Sequence, residues 1–351
     1  MYIGCIIHYI KPDFEQKATE GIELIRNTIK EHPEHKVYVL NSTGKDSMVA
    51  QHLCDLSGCD IQTVFNNTTL DCADTYKIVN QNKDKWIILN PKEGFYQYIK
   101  RMNFIPTRFS RGCCSIFKEG ETIKHFNDVE KLIFIHGVRN EESVGRKSRK
   151  DIEKNPKWGS RDWIGLLPIR KWTEFEVWCY TILNNLPVNT KYKKGYKRVG
   201  CSVACPFYTK TTWYLDKYWY PKKYERFHKI LDEDFLRSSK WPVLNCTKAE
   251  YHKCWNGGVY RENPTEEVIQ EFMQYKGITD RSLAEKYFNK SCCKCGKQIK
   301  TMNTMAMNLK IHGRQINKFL CKSCLMKDMG INQKQWNEYV EKFKQQGCAL
   351  F

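Results

Sequence analysis

Four short runs of β-forming residues punctuate the first half of the chain: KVYVLN from residue 36, DIQTVFNN from 60, KWIILN from 85 and KLIFIHGV from 131. Stretches with helical spacing separate them, and a helical lead-in over residues 14–30 comes first. Strands this short and apolar must be covered on both faces, so the alternation predicts an α/β fold, a parallel sheet with helices on both faces. Ligands of such sheets sit beyond the carboxyl ends of the strands.

The first strand ends in Ser42-Thr43-Gly44-Lys45-Asp46-Ser47, after which Met48, Val49 and Leu53 recur at helical spacing. Lys45 after Gly44 suggests a Walker A loop, but that motif needs glycine five residues before Gly44, where Val39 stands, and Ser or Thr where Asp46 stands. What is left is a strand–turn–helix junction whose N–H groups and hydroxyls suit a phosphate or pyrophosphate. An ordinary capped turn is the alternative.

Composition narrows the partners. Lys and Arg number 58 against 39 Asp and Glu, a formal charge of +19 that favours a polyanion such as nucleic acid, or else a generally basic enzyme. The apolar run at the N-terminus is too short for a membrane span and has no basic leader, so we expect a cytoplasmic protein with no membrane partner. In a reducing compartment the close pairs among the 17 cysteines point to metal or cluster ligation rather than disulfides.

Two cysteine sets stand out. Cys113 and Cys114 are adjacent, and Cys201 and Cys205 follow later; together they can supply the ligands of a 4Fe-4S cluster, with zinc or plain buried thiols as alternatives. Cys292-x-x-Cys295 and Cys321-x-x-Cys324, separated by 25 residues, form paired knuckles suited to a structural Zn²⁺, with Cys293 an ambiguous extra ligand. Around them lie Lys297, Lys300, Lys310, Arg314, Lys318 and Lys322, a face suited to nucleic acid or to protein docking. Between the two sets, a helix is expected with Asn263 as N-cap, Pro264 in its first turn and Gly277 as its stop. The expected domains are 1–240 for nucleotide binding, 241–288 as a helical connector and 289–351 as a small zinc-binding module.

The Ser-x-Gly-x-Asp-Ser pattern resembles the PP-loop of the N-type ATP pyrophosphatases, the adenine nucleotide α-hydrolase group. FNNTTLDCADTYKIV, IPTRFSRGCCSIFKEG, GVRNEESVGR, PIRKWTEFEVWCY and YKKGYKRVGCSVACPF resemble, in order, segments of its phosphoadenosine phosphosulfate (PAPS) reductase-like branch. The resemblance implies that Ser42, Thr43, Gly44, Lys45, Asp46 and Ser47, with Asn67, Lys118, Gly137, Arg139 and Arg146, bind an adenine nucleotide. Lys45, Asp46 and Arg139 would serve attack at the α-phosphate of ATP with loss of pyrophosphate, Mg²⁺ bridging the phosphates. The four earlier cysteines are similar to the cluster ligands of assimilatory adenylylsulfate reductases, except that three residues, not two, part Cys201 from Cys205.

These expectations converge on an enzyme that activates a substrate with ATP and transfers sulfur to DNA or RNA, as in the similar sulfurtransferases of DNA phosphorothioation. Cys201 or Cys205 would deliver the sulfur, with a cysteine desulfurase as a possible donor. Two alternatives stand beside it. One is a sulfonucleotide reductase, whose Glu-Cys-Gly-Leu-His element the sequence does not contain. The other is a nucleic-acid-binding accessory protein with a regulatory nucleotide site. Asp46→Ala is expected to abolish turnover with little loss of fold.

Overall fold

In the computed structural model, described for residues 2–107, 110, 112–207, 209–237, 241–255 and 261–351, the chain divides into two compact units. One spans Met1–Pro106 and Ser110–Pro221; the other takes in Lys222–Phe351.

The first unit is built on a six-stranded sheet in the order β3-β2-β1-β4-β6-β5. Its strands are β1 (Lys36–Leu40), β2 (Gln62–Asn66), β3 (Trp86–Leu89), β4 (Lys131–His136), β5 (Ile152–Glu153) and β6 (Asp162–Leu166). All pairings are parallel except that of the short edge strand β5 with β6. The four expected strands are present, and β5 and β6 add to them. The chain runs outward from β1 through β2 to β3, then crosses back to lay β4 on the other side of β1. The crevice between the carboxyl ends of β1 and β4 is therefore the topological switch point, where sheets of this class hold ligands.

Strand alternation explains the two cores. Val37, Val39, Ile133 and Ile135 face one way and pack with Phe14 and Ile25 of α1 (Tyr2–Glu31), Val49 and Leu53 of α2 (Lys45–Ser57), and Val177 and Tyr180 of the helix Glu174–Leu183. Tyr38, Leu132 and Phe134 face the other way, against Phe126, Trp158 and Trp163. Each fully buried large apolar side chain contributes about 1.5–3 kcal/mol, so both faces resist exposure and the sheet is held in register. The lead-in helix begins earlier than expected. Gly58, at φ 70°, ends α2.

The second unit is helical. Phe227, Leu231 and Phe235 line one side of the helix Pro221–Arg237 and are fully buried; Phe235 meets the Trp241 ring at 4.6 Å. The helix expected from Asn263 runs Glu266–Lys276 and is capped by Thr265, whose hydroxyl accepts from the Val268 N–H. Pro264 thus lies outside the helix, while Gly277, at φ 63°, is the stop as expected. No described helix is long and apolar enough to cross a membrane.

Candidate active site and thiol centres

The turn after β1 is a strained, heavily bonded cradle. Its left-handed residue is Thr43, at φ 59°, not Gly44, whose φ is −80°. A β-branched residue holds that conformation only when its surroundings impose it. Here the Thr43 N–H donates to Asn41 Oδ1 at 2.7 Å, and Asn189 Nδ2 donates to Thr43 Oγ1 at 2.9 Å. Ser47 Oγ accepts from the Ser42 N–H and donates toward Asn41 Oδ1 and the Gly44 carbonyl, which fastens the loop to the first turn of α2. A Cβ on Gly44 would meet Ser42 Oγ at 3.4 Å and the Tyr192 hydroxyl at 3.6 Å, ordinary contact distances, so Ser42 and Tyr192 line the space beside it. The first intrahelical bond runs from the Met48 N–H to the Gly44 carbonyl, so the N–H groups of Asp46 and Ser47 have no acceptor within the helix. Such a terminus favours an anion.

Two buried cations meet at Asp46, one its neighbour in the first turn of α2 and the other from the loop after β4. Lys45 Nζ lies 3.0 Å from Asp46 Oδ2, and Arg139 Nε, from the loop after β4, lies 2.5 Å from Oδ1. The side chains of Lys45 and Arg139 are 6% and 3% exposed. Burial disfavours the Lys45 charge, but Asp46, Tyr192 and Glu174 outweigh it and hold the ammonium above its usual pKa. Gly137 makes the approach of β4 to α2 possible: a Cβ there would fall 2.5 Å from the Asp46 carbonyl group.

The other expected nucleotide residues are spread more widely. Asn67 follows β2, where its Oδ1 accepts from the Thr69 N–H and the Tyr76 hydroxyl. Arg146 pairs with Glu142. Lys118 stands instead with the thiols of Cys201, Cys114 and Cys205, whose charges raise its pKa. Residues absent from the sequence-based expectation also form the site. The Lys45 N–H donates to the Tyr192 hydroxyl at 3.1 Å, and Asn189 bridges Thr43 and Thr75.

The segment 189–205 links this cradle to the first thiol set. All four are free thiols; Cys201 and Cys205 share a hydrogen bond, as do Cys113 and Cys114, and Cys113 also feels the charges of Cys201 and Cys205. The three-residue spacer is accommodated by Val203, which takes φ 50° and donates its N–H to Asp216 Oδ2 at 3.0 Å, while the Ala204 N–H closes on the Ser202 carbonyl at 2.6 Å. The Cys201 bond, assisted by the Phe207 N–H, Arg198 and Lys118, draws Cys205 down to about 6 against the effect of burial. Four thiols on two segments match in number and kind the donors an iron–sulfur cluster takes; hydrogen bonds within each pair and burial hold Cys113 and Cys201 toward the thiol, and Cys205 is the one drawn toward thiolate. A cavity of about 390 Å³ opens beside Cys201 and Cys205, with Tyr196, Lys197 and Arg198 in its wall.

In the second unit Cys292, Cys295, Cys321 and Cys324 bring their sulfurs within 4.8 Å of one another. Among the described residues no other set of three or more His, Cys, Asp or Glu is gathered so tightly. A single tetrahedral ion with bonds of about 2.3 Å draws its sulfurs to about this range, so the group can hold a metal ion. Cys293 is exposed and outside it. N–H groups of Cys321, Cys295 and Lys294 bring Cys292 down to about 6 although burial opposes them, a ready thiolate ligand.

Comparison with known proteins bears on the first unit. Residues 36–206 match the phosphoadenosine phosphosulfate reductase domain. The match covers just under half of the chain. The chain is 33% identical over 228 residues to an uncharacterised protein of Methanocaldococcus jannaschii, covering 63% of this chain and 46% of that protein. A second uncharacterised protein of the same organism is 27% identical, with 65% and 59% covered. The chain thus spans about half the length of these two relatives. An adenosine 5'-phosphosulfate reductase of Bacillus cereus is 26% identical over 193 residues, which cover 53% of this chain and 80% of that one. A crystal structure of a PAPS reductase from Candida auris aligns with 52% of this chain at 18% identity and a TM-score of 0.41.

Proposed function

We propose that the first unit binds ATP at the switch point between β1 and β4 and cleaves it at the α-phosphate, releasing pyrophosphate, to activate a substrate for sulfur transfer to nucleic acid. The observation that carries this reading is the meeting of Lys45 and Arg139 at the first turn of α2, beside the N–H groups of Asp46 and Ser47 that no helical carbonyl takes. Preorganised cations and N–H groups suit charge that develops on a phosphate. Both oxygens of Asp46 are engaged by cations, so Mg²⁺ would enter on the nucleotide's phosphates rather than in a preformed carboxylate cage. Cys113, Cys114, Cys201 and Cys205 would hold a 4Fe-4S cluster, which when bound supplies redox or sulfur chemistry, and Cys292, Cys295, Cys321 and Cys324 a structural Zn²⁺. The formal charge of +19 favours a polyanionic acceptor.

A second reading, reduction of a sulfonucleotide to sulfite, is favoured by the similarity to adenosine 5'-phosphosulfate reductases, most of whose length is matched. One experiment separates the two. Anaerobically purified protein is incubated with ATP and Mg²⁺, and in parallel with adenosine phosphosulfate or PAPS and a thiol reductant. AMP with pyrophosphate from the first mixture supports the proposal. Sulfite from the second, with ATP intact, refutes it in favour of reduction.

A further inference from the structure

We propose that the helix Lys210–Trp219 and the basic loop before it form a docking face for single-stranded nucleic acid beside Cys201 and Cys205. The proposal rests on the sulfur-transfer reading and gives its acceptor a place.

Tyr214 and Tyr218 are 71% and 75% exposed, four residues apart on one side of this helix. Four residues of helix span about 6 Å, so the rings stand one turn apart and neighbouring bases can each meet one. Trp219, 42% exposed, completes the aromatic face, its Nε1 donating to the Lys194 carbonyl at 3.1 Å. An aromatic cluster this open contributes little to folding and marks a binding surface.

Charge selects the partner. Residues 192–220 contain six Lys or Arg and one acid, Asp216. That acid is buried and turned inward, where it accepts from the Tyr196 hydroxyl at 2.7 Å and the Val203 N–H at 3.0 Å. Lys193, Lys197, Arg198 and Lys217 remain on the surface. Aromatic rings interleaved with cations suit unpaired bases on a phosphate backbone. A duplex keeps its base faces stacked and offers these rings nothing.

The inward bonds also fix where the face lies. Asp216 ties the helix to the turn between Cys201 and Cys205, and Thr211 and Leu215 share the wall of the 390 Å³ cavity with Arg198 and both cysteines. A strand held by Tyr214 and Tyr218 therefore runs past the opening that leads to the thiols.

Fluorescence anisotropy with a labelled 20-nucleotide strand and its duplex, at matched salt, tests this. The parent should bind the single strand more tightly. Tyr214→Ala with Tyr218→Ala should weaken it at least about thirtyfold, the lower end of what losing two stacked bases implies. Tyr→Trp at both positions should retain binding. Far-UV circular dichroism confirms that each variant folds, and ATP cleavage without nucleic acid should be the same in all. Unchanged affinity in the alanine pair, preference for duplex, or no binding at low salt would each overturn the proposal. Strand binding that needs the tyrosines in a protein that leaves ATP intact would refute the enzymatic reading and leave the docking face standing.

Discussion

Replacing Asp46 by alanine tests the geometry of the cradle more sharply than a loss of activity would. The sequence alone led us to expect little effect on folding; the structure changes that expectation. The Asp46 side chain is 15% exposed and is the shared partner of two cations exposed by only 6% and 3%. Breaking a buried pair costs about 3–5 kcal/mol, because the remaining charge is left without compensation. Each cation keeps a second carboxylate, Glu174 at 3.4 Å from Lys45 and Glu141 at 2.7 Å from Arg139, but both are more than half exposed and each recovers only about 0–1 kcal/mol. The net loss is about 1–5 kcal/mol, or a urea midpoint lower by about 0.5–2 M for a unit of this size. Hydrogen exchange in β1 and β4 peptides, read by mass spectrometry across a urea series, reports on this unit apart from the other. Asp46→Asn and Arg139→Gln, singly and together, should show a coupling of at least about 1 kcal/mol. A midpoint unmoved by Asp46→Ala, with no coupling in the cycle, would show that the triad is not formed.

Four further outcomes are expected. Gly137→Ala should cost about 1–3 kcal/mol and abolish nucleotide binding in a filter assay, because the new methyl meets backbone rather than a movable side chain. The chain should purify with one zinc, and Cys295→Ser or a strong chelator should remove it and open residues 289–351 to protease, as measured by metal analysis and limited proteolysis. Anaerobic protein should carry about four irons with matching sulfide, lost in Cys201→Ser; zinc at those thiols instead would refute the cluster. His136, at the end of β4, is held down at about 4 by burial and by Arg149 and Arg146. Its unfolded value is near 6.5, so the unfolded chain takes the proton first. Stability is then complete above pH 6.5 and falls between there and pH 4, by about 1–2 kcal/mol once partial solvent access is allowed for. In His136→Gln, urea midpoints should lose that slope.

What could be read in advance followed from contiguity. The runs of β1 to β4 and the loop of residues 42–47 each carry their signal within a few neighbouring residues, so periodicity and motif were enough. β6 escaped because DWIGL is short, carries glycine one place from its end and contains one β-branched residue; its strand character comes from pairing with β4 and burial of Trp163 and Leu166. Pro264 drew the helix start two residues too early, since both Asn263 and Thr265 are able caps and only packing chooses between them. Tyr192 and Asn189 reach the cradle from far along the chain and belong to no local pattern. The left-handed backbone of Val203, between Cys201 and Cys205, is set by its bond to Asp216, which sequence does not display.

The crossing of the chain from β3 back to β4 has a temporal consequence. The loop of residues 41–47 leaves the ribosome long before Gly137 and Arg139, so a nascent chain at that stage has the cradle but not the second cation. Parallel pairing between segments this distant is slow to form, since loop closure precedes any gain from contact. Nucleotide should therefore bind only once β4 has closed on β1, and ligand that binds only then draws the folding equilibrium forward. ATP affinity in refolding protein would serve as a clock for that one long-range event.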